Sequence, residues 1–159
     1  AYLATKQFWN HPYTKALLEA ASALGVDIVH AEHEPHDLDS TFAAIERLHP
    51  DALFVSGGAE SFGQRQQIVE FARRARLPGM YPYPAMVEAG GLMSYGTSDA
   101  GLGRGAAEYV DRILKGAEPG ELPIERPKTF ELVINLRTAR ELGLVIPQSF
   151  LLRAYRVIE

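Results

Sequence analysis

Short strand-like and helix-like stretches alternate along the whole chain, joined by connections of only a few residues. The apolar run Ala1–Thr5 is followed by a helical pattern on Tyr13, Ala16, Leu17, Ala20, Ala21 and Leu24, opened by Pro12 and stopped by Gly25. Val26–His30 reads as a second strand. Asp39 or Ser40 then caps a helix that presents Phe42, Ile45 and Leu48 on one face. The continuous apolar run Ala52–Val55 suits a strand buried on both sides. Parallel strands need such crossovers to return the chain to the same end of the sheet. The expected fold is therefore α/β, a mostly parallel sheet with helices on both faces.

The second half continues the pattern. Ser61 and Gln64 have capping-box spacing, and the helix they open buries Ile68, Val69, Phe71 and Ala72 before Pro78. Gly79–Pro82 is a strand, Pro84–Ala89 a short helix closed by Gly90, and Gly91–Tyr95 another strand. Ser98 or Asp99 caps a helix running to Leu114 and Gly116. A loop follows over 117–128, with three prolines. Phe130–Ile134 alternates as a strand, Asn135 caps a helix ending at Gly143, and Pro147–Ile158 reads as a last helical segment. The start, Ala1-Tyr2-Leu3-Ala4-Thr5-Lys6, reads as the inside of a strand with no signal-peptide pattern, so the chain is expected to begin within a longer product.

Composition excludes several function classes. Sixteen Lys and Arg against twenty Asp and Glu give a net charge of −4, and the cluster Arg73, Arg74, Arg76 is too short to make a nucleic-acid surface. Without cysteine there is no thiolate catalysis and no cysteine-held zinc. No run of 18 apolar residues is present to form a spanning helix. Gly101, Gly103 and Gly105 miss the dinucleotide spacing, and close helix packing explains them better. His30, His33 and His36, with Glu32 and Glu34, alternate sides of a strand end, and Pro35 interrupts any helix that would align them. A solvated connector is expected there, not a metal site. No cofactor motif is found.

In open parallel sheets, ligands sit beyond the carboxyl ends of the strands. That edge selects the loops at Asn10, at Ser56–Ser61, at Tyr81–Tyr83 and at Tyr95–Asp99. Ser56-Gly57-Gly58 brings backbone close to a ligand and offers N–H groups to a carboxylate. Phe8, Trp9, Phe62, Tyr81, Tyr83 and Tyr95 add flat rings able to sandwich a small organic molecule. Glu60 and Asp99 also lie on this edge, and an enzyme using either as acid or base is the alternative, beside a ligand-sensing domain of a regulatory protein.

The segment Glu88-Ala89-Gly90-Gly91-Leu92-Met93-Ser94-Tyr95-Gly96 resembles a signature of the ABC-transporter substrate-binding proteins that include the tryptophan and aromatic amino-acid binders. The likeness continues through Ala107–Pro119, Leu122–Pro127, Phe130–Asn135 and Ala139–Pro147. The resemblance implies a type I periplasmic-binding-protein fold, in which two lobes close over a small solute such as an amino acid and deliver it to a membrane permease. It implies no enzymatic activity and a periplasmic or extracytoplasmic location. Residues 1–159 would then form a single lobe with hinge segments, with 96–127 crossing to an absent lobe or to a second subunit. The helix over 99–115 would pack on that partner, a homodimer being one form of it. By the same resemblance, and with the strand-edge rule, the expected ligand contacts are Asn10, Ser56, Gly57, Gly58, Tyr81, Tyr83, Ser94, Tyr95 and Gly96.

Overall fold

The computed structural model describes residues 1–34, 36–127 and 129–159. Pro35, and Lys128 at the end of the expected 117–128 loop, lie outside the described residues. The strands are β1 (Tyr2–Ala4), β2 (His30–Glu32), β3 (Leu53–Val55), β4 (Gly79–Tyr81), β5 (Met93–Thr97), β6 (Phe130–Asn135) and β7 (Arg156–Ile158). Between them run α1 (Lys6–Trp9), α2 (Pro12–Ala23), α3 (Leu38–Leu48), α4 (Ala59–Gly63), α5 (Arg65–Arg74), α6 (Pro84–Glu88), α7 (Asp99–Leu114), α8 (Leu136–Leu142) and α9 (Gln148–Leu151).

The strands form one sheet in the order β2-β1-β3-β4-β5-β6-β7. All neighbours run parallel except β5 and β6, which pair antiparallel from Met93 opposite Ile134 to Thr97 opposite Phe130. The mostly parallel α/β architecture is the one the alternation of elements dictates. Its core lies on the face where Leu3, Ala31, Leu53, Val55 and Tyr81 meet Phe42 and Ile45 of α3, four residues of α5 and Met86 of α6. The rings of Phe42 and Phe71 stack there at 4.2 Å. On the opposite face Tyr2 stacks on Phe54 and its hydroxyl meets that of Tyr13 in α2.

Several local expectations change. The second strand begins only at His30, and Val26 and Val29 are exposed in the preceding loop. Asp37, not Asp39 or Ser40, caps α3, accepting from the Ser40 N–H at 3.0 Å. Pro147–Ile158 is not one helix. A single turn, α9, gives way to β7, and the Tyr155 N–H donates to the Leu132 carbonyl at 2.8 Å. The β-branched pair Val157-Ile158 gains more from pairing beside β6 than from a short helix with nothing to pack on.

The helix α7 stands apart. Ser98 caps it as expected, accepting from the Gly101 N–H at 3.2 Å, yet none of its sixteen residues is buried. Leu102, Val110, Ile113 and Leu114 are all exposed. Among the described residues nothing lies within 4 Å of a Cβ built at Gly103 or Gly105, so the close packing expected of them is not seen there, while a Cβ at Gly101 would meet only Ser98, its own helix cap, at 3.3 Å.

Candidate functional site

Because β1, β3, β4 and β5 are parallel, their carboxyl ends fall on one edge of the sheet. Three chain segments converge there around Gly58. That residue has φ of 156° and ψ of 159°, a region open essentially to glycine alone. A Cβ on it would fall 3.0 Å from the Phe8 ring and 3.2 Å from Glu60 Oε2. Its N–H donates to the Tyr83 hydroxyl at 3.0 Å, which ties the loop after β3 to the loop after β4. Phe62 then packs its ring against Tyr83 edge-to-face at 5.3 Å, and Arg65 lies over Phe62. The sequence thus places small residues where two loops and an aromatic ring must approach.

Gly96 serves a similar end one strand further on. A Cβ there would lie 2.5 Å from the Pro82 carbonyl oxygen, so only glycine allows β5 this close to the loop after β4. The neighbouring Tyr95 is mostly exposed and stacks on Phe130 at 5.7 Å, forming a flat apolar step beside the edge.

The expected site residues separate into two groups. Ser56, Gly57, Gly58, Tyr83 and Gly96 come together at the edge, with Tyr95 beside them. Asn10 ends α1, exposed, with no side-chain partner among the described residues. Tyr81 lies elsewhere than expected. Its ring is buried in the core, and its hydroxyl points back toward Gly79, where a Cβ would fall 2.4 Å from it. Burial pushes its phenol well above the ordinary tyrosine range. Ser94 is fully buried at the register position of Tyr81. Trp9 also turns away from the edge and stacks on His30 at 4.3 Å.

Two hydroxyls, Ser56 Oγ and Ser94 Oγ, are buried without a hydrogen-bond partner among the described residues. A buried hydroxyl left without a partner costs about 1–3 kcal/mol. The hydroxyl of Ser56 lies at the strand edge, and that of Tyr83 accepts from Gly58 while keeping its own proton to donate. Glu60 and Asp99 are exposed in the first turns of α4 and α7, where the helix dipole favours acids, and neither carboxylate has a hydrogen-bond partner among the described residues.

The histidine connector is a correction and holds what sequence reading missed. His33 is not solvated. It is 2% exposed, with Nε2 at 2.6 Å from Gln64 Oε1 and Nδ1 at 3.5 Å from Ser61 Oγ. Ser61 and Gln64 therefore face His33 and form no capping box, and α4 starts at Gly58 with no side-chain cap. The capping-box spacing was the only sequence signal that these two residues act together. No group of three metal-ligating side chains occurs among the described residues.

The family model for ABC transporter substrate binding proteins matches residues 11–158. The chain belongs to that family. Among solved structures it is similar to a conserved domain protein from Vibrio cholerae, with 28% identity and a TM-score of 0.85 over 98% of this chain and 53% of that one. It is also similar to an ABC domain from Streptococcus pneumonia in complex with L-Trp, with 26% identity and a TM-score of 0.83 over 99% of this chain and 55% of that one. A ligand-free, open substrate binding protein with adhesive properties from Clostridium difficile shares the fold, at 18% identity and a TM-score of 0.66, over 99% of this chain and 53% of that one. No curated protein matches the chain. The chain spans about half the length of these solved structures.

Proposed function

We propose that this substrate-binding-family chain forms one lobe of the solute-binding component of an ABC importer. It takes a small organic solute such as an amino acid, outside the cytoplasm, and hands it to a membrane permease. Residues 1–159 are that lobe, and 96–127 leave it to pack on a second lobe. The observation that carries the reading is the family match over 11–158, joined to a fold shared over 99% of the chain with an L-Trp-bound relative.

On this reading the carboxyl edge is one wall of the cleft. Ser56 supplies a buried hydroxyl that a polar solute group satisfies, and Tyr83 supplies a second donor. Gly57, Gly58 and Gly96 keep the wall free of side chains, Tyr95 offers a ring face, and Asn10 stands at the rim. Tyr81 and Ser94 support this wall from beneath. A cleft needs two walls, because half the contacts without enclosure leave little surplus over the entropy of binding.

The test is calorimetric titration of the intact protein with L-tryptophan and a panel of other amino acids, beside native mass spectrometry of the protein as purified. Micromolar or tighter binding of one of them, weakened in Tyr83→Phe and Ser56→Ala, supports the reading. A protein that carries no solute and binds none of the panel overturns it.

A further inference from the structure

We infer that His33, outside the expected contact set, is a positioning residue for the Ser56–Gly58 wall. The inference rests on the solute-binding reading above. His33 follows β2, while the wall follows β3, with β1 lying between them in the sheet. Three bonds let His33 bridge that gap, one from its backbone and two from its ring. Its backbone N–H donates to the Ala4 carbonyl at 2.9 Å, fixing it to the end of β1. Its Nε2 and Nδ1 meet Gln64 Oε1 and Ser61 Oγ. With the Gln64 oxygen as acceptor, Nε2 is the donor in that bond. The two ring nitrogens thus reach both partners at once.

The geometry makes α4 depend on this contact. The helix has five residues, too few to hold itself, and its N-cap Gly58 has no side chain. Ser61 lies on α4 and Gln64 at its C-terminal end, so His33 holds both from within the protein. Gly58 is the residue that joins α4 to the wall. The histidine is itself fixed from behind, since Thr41 Oγ1 accepts from the Glu34 N–H at 3.2 Å and donates to the Glu32 carbonyl at 3.2 Å. Buried side chains locked in this way are what keep a binding constellation within the narrow tolerance it needs.

The test uses the intact protein with His33→Leu, Gln64→Leu, His33→Gln, and Ile45→Val as a core control away from the edge. Amide hydrogen exchange is read over residues 57–63, and L-tryptophan affinity by calorimetry. His33→Leu and Gln64→Leu are expected to speed exchange in that segment and weaken affinity by about tenfold each. His33→Gln, which keeps a polar group for Gln64, recovers most of both. Ile45→Val lowers the melting temperature and changes neither. Unaltered exchange over 57–63 in His33→Leu overturns the inference, with or without bound solute. So does affinity that follows melting temperature alone across the four variants. If the wild-type protein binds no L-tryptophan, that result falls on the solute reading, and the exchange data still decide whether His33 holds the segment.

Discussion

A methyl group at position 96 would meet the Pro82 carbonyl oxygen at 2.5 Å, well inside contact distance, with backbone on both sides. Gly96→Ala must therefore push β5 from the loop after β4, and is expected to lower stability by about 1–3 kcal/mol in chemical denaturation. A wild-type midpoint would show that the two segments are free to part. Tyr81 gives a second prediction at this scale, through pH. Its phenol is raised above an ordinary value of 10.0 in the folded protein, so the folded state keeps a proton that the unfolded chain releases. The stability contributed by the neutral form is complete below pH 10.0 and is lost as pH rises above it. The slope is about 1.4 kcal/mol per pH unit for one such group. Tyr81→Phe should flatten the fall between pH 10 and 11, and an unchanged slope would assign it to other groups.

At the scale of elements, the parts written in local chemistry were legible and those written in tertiary contact were not. Ser98 and Asn135 cap their helices as their positions indicate, because a cap is settled within three residues. The one-turn α9 and β7 were not legible as separate elements, because β7 exists only through its pairing with β6. Ser61 and Gln64 carry the right cap spacing, yet a buried imidazole outcompetes the helix end for both. The helix α7 extends the argument. None of its residues is buried, and among the described residues nothing lies within 4 Å of a Cβ at Gly103 or Gly105, which agrees with the proposal that a second lobe covers it. Val110→Asp should then change the melting temperature of the 159-residue chain little, since surface substitutions fall within about 0.5 kcal/mol. In the intact protein the same change should lower it by several degrees. Equal small effects in both, or a dimer of this chain alone broken by the substitution, would remove the second lobe as the partner.

Across the whole molecule, the edge that carries the site followed from connectivity, whereas the direction of each side chain did not. Alternating strands and helices put the loops at Ser56, Tyr83 and Gly96 on one side, because parallel strands share their carboxyl ends. Tyr81 and Ser94 pair with each other two residues before Tyr83 and Gly96, still inside the covered part of the sheet, and both are buried there. On the proposed reading this edge is one of two walls. Enclosure then has to come from movement of the second wall, and binding should be seen as a change of shape. Small-angle scattering of the intact protein is expected to show a smaller radius of gyration with saturating L-tryptophan than without it. Hydrogen exchange should slow at 56–58, 83 and 95–97 while staying constant in α3 and α5, whose contacts lie wholly within this lobe. Tyr95→Ala leaves the backbone of this wall intact and removes a ring, so it should weaken affinity while preserving the contraction at saturation. Contraction without slowed exchange at those residues would mean that the solute is gripped elsewhere.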